Sequence, residues 1–157
     1  MKLTYLTVAA TLVAGSAFAA EVGPKEVKYN DDTAIEMSLT GVAGDPEKGA
    51  VIMATKSRGN CVACHEISAL SAAFQGNVGP MLDGAGDRWS VGELRGLVVN
   101  AKMMFEGSVM PAFYQVDGFT RPGNAYTGKA AAEPLPPLLS AQEIEDVVAF
   151  LATLKEE

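Results

Sequence analysis

Cys61-Val62-Ala63-Cys64-His65 is the stretch from which the rest of the chain follows. Two thiols three positions apart with an imidazole directly after them form the C-x-x-C-H attachment pattern of c-type haem. The spacing has a chemical reason. The thiols add to the two vinyl groups on one side of the porphyrin, and the adjacent imidazole is then placed under the iron as proximal ligand. Cys61 and Cys64 are therefore expected as thioethers, His65 as an iron ligand, and one covalent haem c as cofactor. The competing readings are a surface disulfide, a zinc half-site and a thioredoxin-like redox pair. Zinc prefers four Cys or His ligands, and the chain has two Cys and one His in total, all inside the pentad. A redox C-x-x-C is expected beside a βαβ pattern, and none is visible.

The N-terminus agrees. Lys2 gives a positive n-region, Leu3 to Ala14 an apolar run, and Ala17-Phe18-Ala19 an A-x-A cleavage site. That run is too short for a transmembrane helix, which needs about 20 apolar residues. Residues 1–19 are thus expected as a cleaved signal peptide and no membrane span is expected. The mature chain is Ala20 to Glu157, 157 minus 19 or 138 residues. Its charge is 11 basic minus 19 acidic residues, or −8, because the leader removes Lys2 and no acid. Export suits c-type haem, and the expected location is the periplasm. One domain is expected at this size. The acidic balance argues against nucleic acid, which requires clustered Lys and Arg. With both cysteines committed to thioethers, a reaction that needs a cysteine nucleophile must place it on another chain.

Three helices are expected. The first opens at Asp45-Pro46-Glu47-Lys48, an N-cap acid with Pro at the first helical position, and runs to about Lys56. The second opens on the capping box Ser90-Val91-Gly92-Glu93, with Leu94, Leu97, Val98 and Ala101 at helical spacing. The third opens on the capping box Ser140-Ala141-Gln142-Glu143 and carries Ile144, Val147, Val148, Leu151 and Leu154 on one stripe. The 20–44 segment is expected as an N-terminal extension in which 31–39 forms a short helix with Ile35 and Leu39 on one face. The 45–157 segment carries the haem domain. Ala125 to Leu139 reads as a rigid, Pro-rich surface loop.

Asn77-Val78-Gly79-Pro80-Met81-Leu82 follows the pentad by about a dozen residues. With it, the order of helix, C-x-x-C-H, Gly-Pro-x-Leu loop, middle helix, Met loop and final helix resembles the class I cytochrome c family. The resemblance implies an all-α fold wrapped round one haem. It also implies that the Pro80 carbonyl accepts the His65 Nδ1 proton, which fixes the tautomer and raises ligand basicity; an ordinary Gly-Pro turn is the alternative. In that family the first and last helices cross at a Gly and an aromatic, and Gly49 and Phe150 match, with Met53 where an aromatic is frequent.

The sixth ligand cannot be a second His, so Met is the usual alternative and raises the reduction potential. Met110, in Gly107-Ser108-Val109-Met110-Pro111-Ala112-Phe113, is the favoured distal ligand because of its place in this order, with Pro111 stiffening the loop. Met103, Met104 and an open site stay as alternatives, and Met81 is too near the proximal loop. Arg88 and Trp89 are candidate propionate contacts, or else a solvated loop charge and core filler. Scattered Arg121, Lys129 and Lys102 read as surface.

Asp87-Arg88-Trp89, Glu93-Leu94-Arg95-Gly96, Val99-Asn100-Ala101-Lys102, Val109 to Tyr114 and Leu139 to Leu151 together resemble SoxX, the small monohaem subunits of SoxAX complexes in bacterial sulfur oxidation. The similarity covers about residue 40 onward, and the Pro-rich loop departs from it. The resemblance implies a subunit of an L-cysteine S-thiosulfotransferase, which joins thiosulfate to a carrier-protein cysteine with release of two electrons. It implies a larger haem-bearing SoxA-like subunit as heterodimer partner, where the bond forms, and a small cytochrome as electron acceptor. No catalytic residue is expected on this chain; its share is electron transfer. The alternative is a free-standing periplasmic electron-transfer cytochrome c. Such shuttles usually start their first helix near the mature N-terminus, whereas about 25 residues precede Asp45 here.

Overall fold

The Asp45 side chain accepts from the N–H groups of Glu47 and Lys48 at 3.0 and 3.2 Å, and Pro46 fills the first turn, where its missing N–H costs nothing. Those N–H bonds hold the Asp45 carboxyl below its usual range. The helix they start, α1, is Pro46–Ala54, two residues shorter than expected, because Thr55 turns extended. A computed structural model describes residues 20–124 and 127–156. The expected leader lies outside these described residues. After α1 come a 3₁₀ turn Cys61–Ala63, a one-turn helix α2 (Ala85–Arg88), α3 (Val91–Asn100) continued by a 3₁₀ turn Ala101–Met103, and α4 (Ala141–Thr153). Among the described residues the sole β pairing is a bridge between Gly123 and Ala130. The chain is all-α, as expected.

Both capping boxes form with their reciprocal bonds. Ser90 Oγ accepts from Glu93 N and Glu93 accepts from Ser90 N at 2.8 Å, and Ser140 and Glu143 repeat the pattern. The stripe Ile144, Val147, Val148, Leu151 and Leu154 is buried throughout. It meets α1 where Gly49 lies against α4. A Cβ at Gly49 would overlap the Asp146 carbonyl oxygen and stand 2.9 Å from Phe150 Cβ, so the two backbones approach as only glycine allows. Asp146 itself is buried yet satisfied: Asp45 N donates to it at 2.9 Å and Gln142 Nε2 at 3.0 Å. Met53 is fully buried beside this crossing.

The 31–39 helix does not form. Asn30 Oδ1 accepts from Asp32 N at 3.0 Å and Ala34 N at 2.8 Å in a turn that Thr33 closes at φ 62°, a left-handed conformation that a helix cannot contain. Ile35 and Leu39 are nonetheless buried. The extension lies on its own domain, Ile35 N donating to Gly92 O at 2.9 Å, and it is tied to itself by Val22 N donating to Leu39 O at 2.7 Å. Tyr114 Oη donates to Val22 O at 2.8 Å, and burial pushes that phenol up to about 12. Beneath it Arg95 and Glu145 form a bidentate pair at 2.8 and 3.0 Å, their side chains 6% and 5% exposed. Arg95 also donates to Ile35 O at 2.6 Å, while Glu145 accepts from Leu39 N at 2.8 Å. The pair is therefore a bolt joining α3, α4 and the extension.

Two outcomes are expected. Gly49→Ala forces the helices apart and lowers stability by about 1–3 kcal/mol, the usual cost of overpacking, seen as a fall in the urea midpoint. Glu145→Gln leaves the Arg95 charge buried without its partner and costs about 3–5 kcal/mol. An unchanged thermal midpoint for Glu145→Gln would mean that the pair is not a bolt.

Candidate haem site

The pentad sits on a turn tight enough to gather its side chains. Asn60 enters at φ 50°, and the Cys61–Ala63 3₁₀ turn closes with Cys64 N and His65 N both bonded to Cys61 O, at 3.1 and 2.9 Å. Residues i and i+3 of a 3₁₀ turn eclipse, which brings Cys61 and Cys64 to one side. Neither is in a disulfide. Burial pushes the Cys61 thiol up to about 11, the reverse of the lowered pKa that a redox C-x-x-C needs. Among the described residues no three His, Cys, Asp or Glu side chains converge to hold a bare metal ion, so the zinc alternative finds no ligand set.

The Gly-rich segment runs back along the pentad. Gly76 N donates to Val62 O at 2.8 Å, Gly79 N to Cys64 O at 2.8 Å, and Leu82 N to Glu66 O at 3.0 Å. This places the Pro80 carbonyl 2.7 Å from His65 Nδ1. A carbonyl can only accept, so Nδ1 carries the proton and Nε2 keeps its lone pair free for a metal. Gly79 lies flat against the imidazole: a Cβ there would stand 2.6 Å from Nδ1 and 2.7 Å from Nε2. The cradle holds the histidine ring with Gly79 over its face, one nitrogen fixed by Pro80 and the other free. Two thiols on one side and this aimed imidazole fit a covalently held haem.

The four methionines after the pentad are placed differently. Met110 is half-buried and packs against the core, whereas Met81 and Met103 are 48% and 49% exposed. Met104, half-buried, ends the 3₁₀ turn that follows α3. Met110 N donates to Ser108 Oγ at 3.3 Å, and Lys102 Nζ donates to Met110 O at 2.6 Å. Trp89 is half-buried, packed on the core and edge-to-face with Phe105 at 6.1 Å between centroids. Arg88 is exposed; its guanidinium donates to Asp83 O at 2.7 Å and Met81 O at 3.2 Å and pairs with Glu156 at 3.6 Å. It clamps the proximal loop from outside.

Several residues that shape the site carry no sequence signal. Gln75 accepts from Ile67 N at 2.6 Å and donates to Ile67 O at 3.1 Å and Leu70 O at 2.9 Å, bracing the insert between pentad and glycine loop. Asp83 accepts from Ser68 N at 2.9 Å, and its bonding to Ser68 holds its carboxyl below the usual range. Lone polar residues in loops have no periodicity to betray them. Arg95 had one clue, a charge one position from the apolar stripe of α3.

The sequence pattern of the Cytochrome c family matches residues 46–155. No curated protein matches the chain. Among solved structures, the chain is similar to one in the crystal structure of SoxXA from P. pantotrophus. The two are 62% identical with a TM-score of 0.83, over 87% of this chain and all of that one. No helix among the described residues is long and apolar enough to cross a membrane. With the all-α fold, the pentad and the imidazole cradle already in place, these matches make the chain a member of the cytochrome c family, of the class I fold and the SoxX group, carrying one covalent haem c.

Proposed function

We propose that this chain is the electron-accepting subunit of a heterodimeric periplasmic cytochrome complex that conjugates thiosulfate to a carrier-protein cysteine. The observation that carries the proposal is the 62% identity, over the full length of the solved chain, to a protein whose structure was determined as SoxXA. Cys61 and Cys64 would hold the haem, His65 would bind the iron from the proximal side through Nε2, and Met110 from the distal side. Haem so held supplies a one-electron couple and no open iron position. The His65–Pro80 bond keeps the imidazole in one tautomer and one orientation, so the proximal ligand does not reorganise when the charge changes. Arg88 and Trp89 are proposed near the propionates; the clamp that Arg88 makes on Met81 and Asp83 keeps that loop in place beside them.

The conjugation releases two electrons, and a one-electron site takes one at a time. A chain with two cysteines, both in thioethers, has no thiol to bind sulfur. The division of labour follows: bond formation on a larger, haem-bearing SoxA-like partner, electron removal here, and onward transfer to a small cytochrome. The extension from 20 to 44 packs on its own domain through Ile35 and Leu39.

Met110→Ala is expected to abolish the weak red charge-transfer band of Met-ligated ferric haem. It should also lower the reduction potential by roughly 0.1–0.3 V of the ~0.8 V that axial ligands command. Retention of both would remove Met110 as the ligand. Gentle purification from native periplasm followed by a haem-stained denaturing gel should show a second haem-bearing band in constant ratio. A single band eluting as a monomer would sink the subunit reading and leave a free electron shuttle.

A further inference from the structure

Lys102 is an exposed lysine in an acidic chain, with 19 carboxylates against 12 basic residues, yet among the described residues it makes no ion pair. Its ammonium goes instead to a backbone carbonyl, Met110 O, at 2.6 Å. The stem that delivers it is fixed. Asn100 Oδ1 accepts from Lys102 N at 3.2 Å, so the 3₁₀ turn Ala101–Met103 leaves the end of α3 in one direction.

Apart from that bond, the hydrogen bonds that tie this loop to the rest of the chain lie toward its two ends, where Leu139 N also bonds to Phe113 O at 3.0 Å, while Met110 and Phe113 add apolar packing against the core. Phe105 N bonds to Ala101 O at 2.8 Å where the loop departs. Tyr114 N bonds to Val99 O at 3.3 Å, and Asn100 Nδ2 to Gln115 Oε1 at 3.3 Å, where it returns. Between these, Gly107 sits at φ +82° with open space about its Cα, and Val109 is 83% exposed. Pro111 has no N–H to give. Met110 N is held within its own turn by Ser108. Among the described residues, the Lys102 bond is the one hydrogen bond that reaches Met110 from another element.

We propose that Lys102 is a positioning residue for the distal loop: by gripping the Met110 carbonyl it sets how often the Met110 thioether leaves the iron. A charged donor makes a stronger bond than a neutral one, and a held carbonyl restricts the backbone motion that would carry the Met110 side chain away, leaving only side-chain rotation as a route of departure. The proposal rests on Met110 being the distal ligand, and goes beyond it by naming what keeps that ligand in place.

The test is imidazole binding to the ferric holoprotein by stopped flow. At saturating imidazole the observed rate is that of Met departure. Lys102→Met keeps the methylene stem and loses the donor; it should raise the saturating rate about three- to tenfold, the range left to one charged hydrogen bond in partial contact with water. Lys102→Arg restores a charged donor and should return the rate toward that of the parent. A parent-like rate in Lys102→Met, or a rate in Lys102→Arg as high as in Lys102→Met, would overturn the proposal. A purely structural role would lower the melting temperature of Lys102→Met and leave the exchange rate alone. Met110→Ala separates the two layers. If it loses the red charge-transfer band and shows no saturation with imidazole, the ligand assignment stands and the Lys102 result is decisive on its own. If it keeps the band, the assignment falls and the Lys102 proposal falls with it.

Discussion

Where α1 crosses α4, the Gly49 backbone lies against the Asp146 carbonyl with no space for a methyl group between them. The position of the haem-binding turn depends on this contact. α1 ends at Ala54, and seven residues later the chain enters Cys61. A helix held one side chain farther from α4 would deliver the pentad to a different place relative to the Met110 loop. The same crossing orders the polar groups around it. Asp146 accepts from Asp45 N, so the residue that caps α1 is itself tied to the helix that α1 packs on. A helix start and a tertiary contact thus share a backbone N–H and two carboxylates, and neither forms well without the other.

From that frame the site is assembled by backbone carbonyls more than by side chains. The Cys61, Cys64 and Val62 carbonyls receive the N–H groups that fold the pentad and lay the glycine loop along it, and the Pro80 carbonyl receives the imidazole proton. In the loop proposed to carry the distal ligand, the Met110 carbonyl receives an ammonium. The Pro80 carbonyl suits a redox site, because it fixes the imidazole's orientation without adding a titrating group beside it. Tuning then falls to ligand identity and to how firmly each ligand is held.

The buried Arg95–Glu145 pair shows a different economy. Two charges in the interior cost several kcal/mol each in lost hydration, and the pair offsets this with a bidentate contact and two further bonds to Ile35 O and Leu39 N. What it secures is the 20–44 extension, whose Ile35 and Leu39 are buried in the core on either side of the bonds it makes. An apolar replacement of both charges would leave the Ile35 carbonyl and Leu39 N–H unsatisfied, so a conformation-specific polar bolt suits this position better than a hydrophobic one.

Much was legible in the residues themselves. C-x-x-C-H prescribes its chemistry because two vinyl groups and one iron demand two thiols and an imidazole at that spacing. The capping boxes at Ser90 and Ser140 and the acid–Pro start at Asp45 are local, since an N-cap satisfies its own helix's N–H groups within three residues. Tertiary structure decided the rest. The segment 31–39 had a helical stripe in Ile35 and Leu39, but Thr33 takes a left-handed φ of 62° and the Gly92 carbonyl takes the Ile35 N–H that a helical ladder would have used. Lys102 read as a surface charge, because no periodicity marks a side chain whose partner is a carbonyl eight residues on. Local capping and covalent chemistry are written in short stretches of sequence; the grip on a loop and the bolt under an extension depend on which backbone groups the fold leaves unpaired, and only the folded chain reveals those.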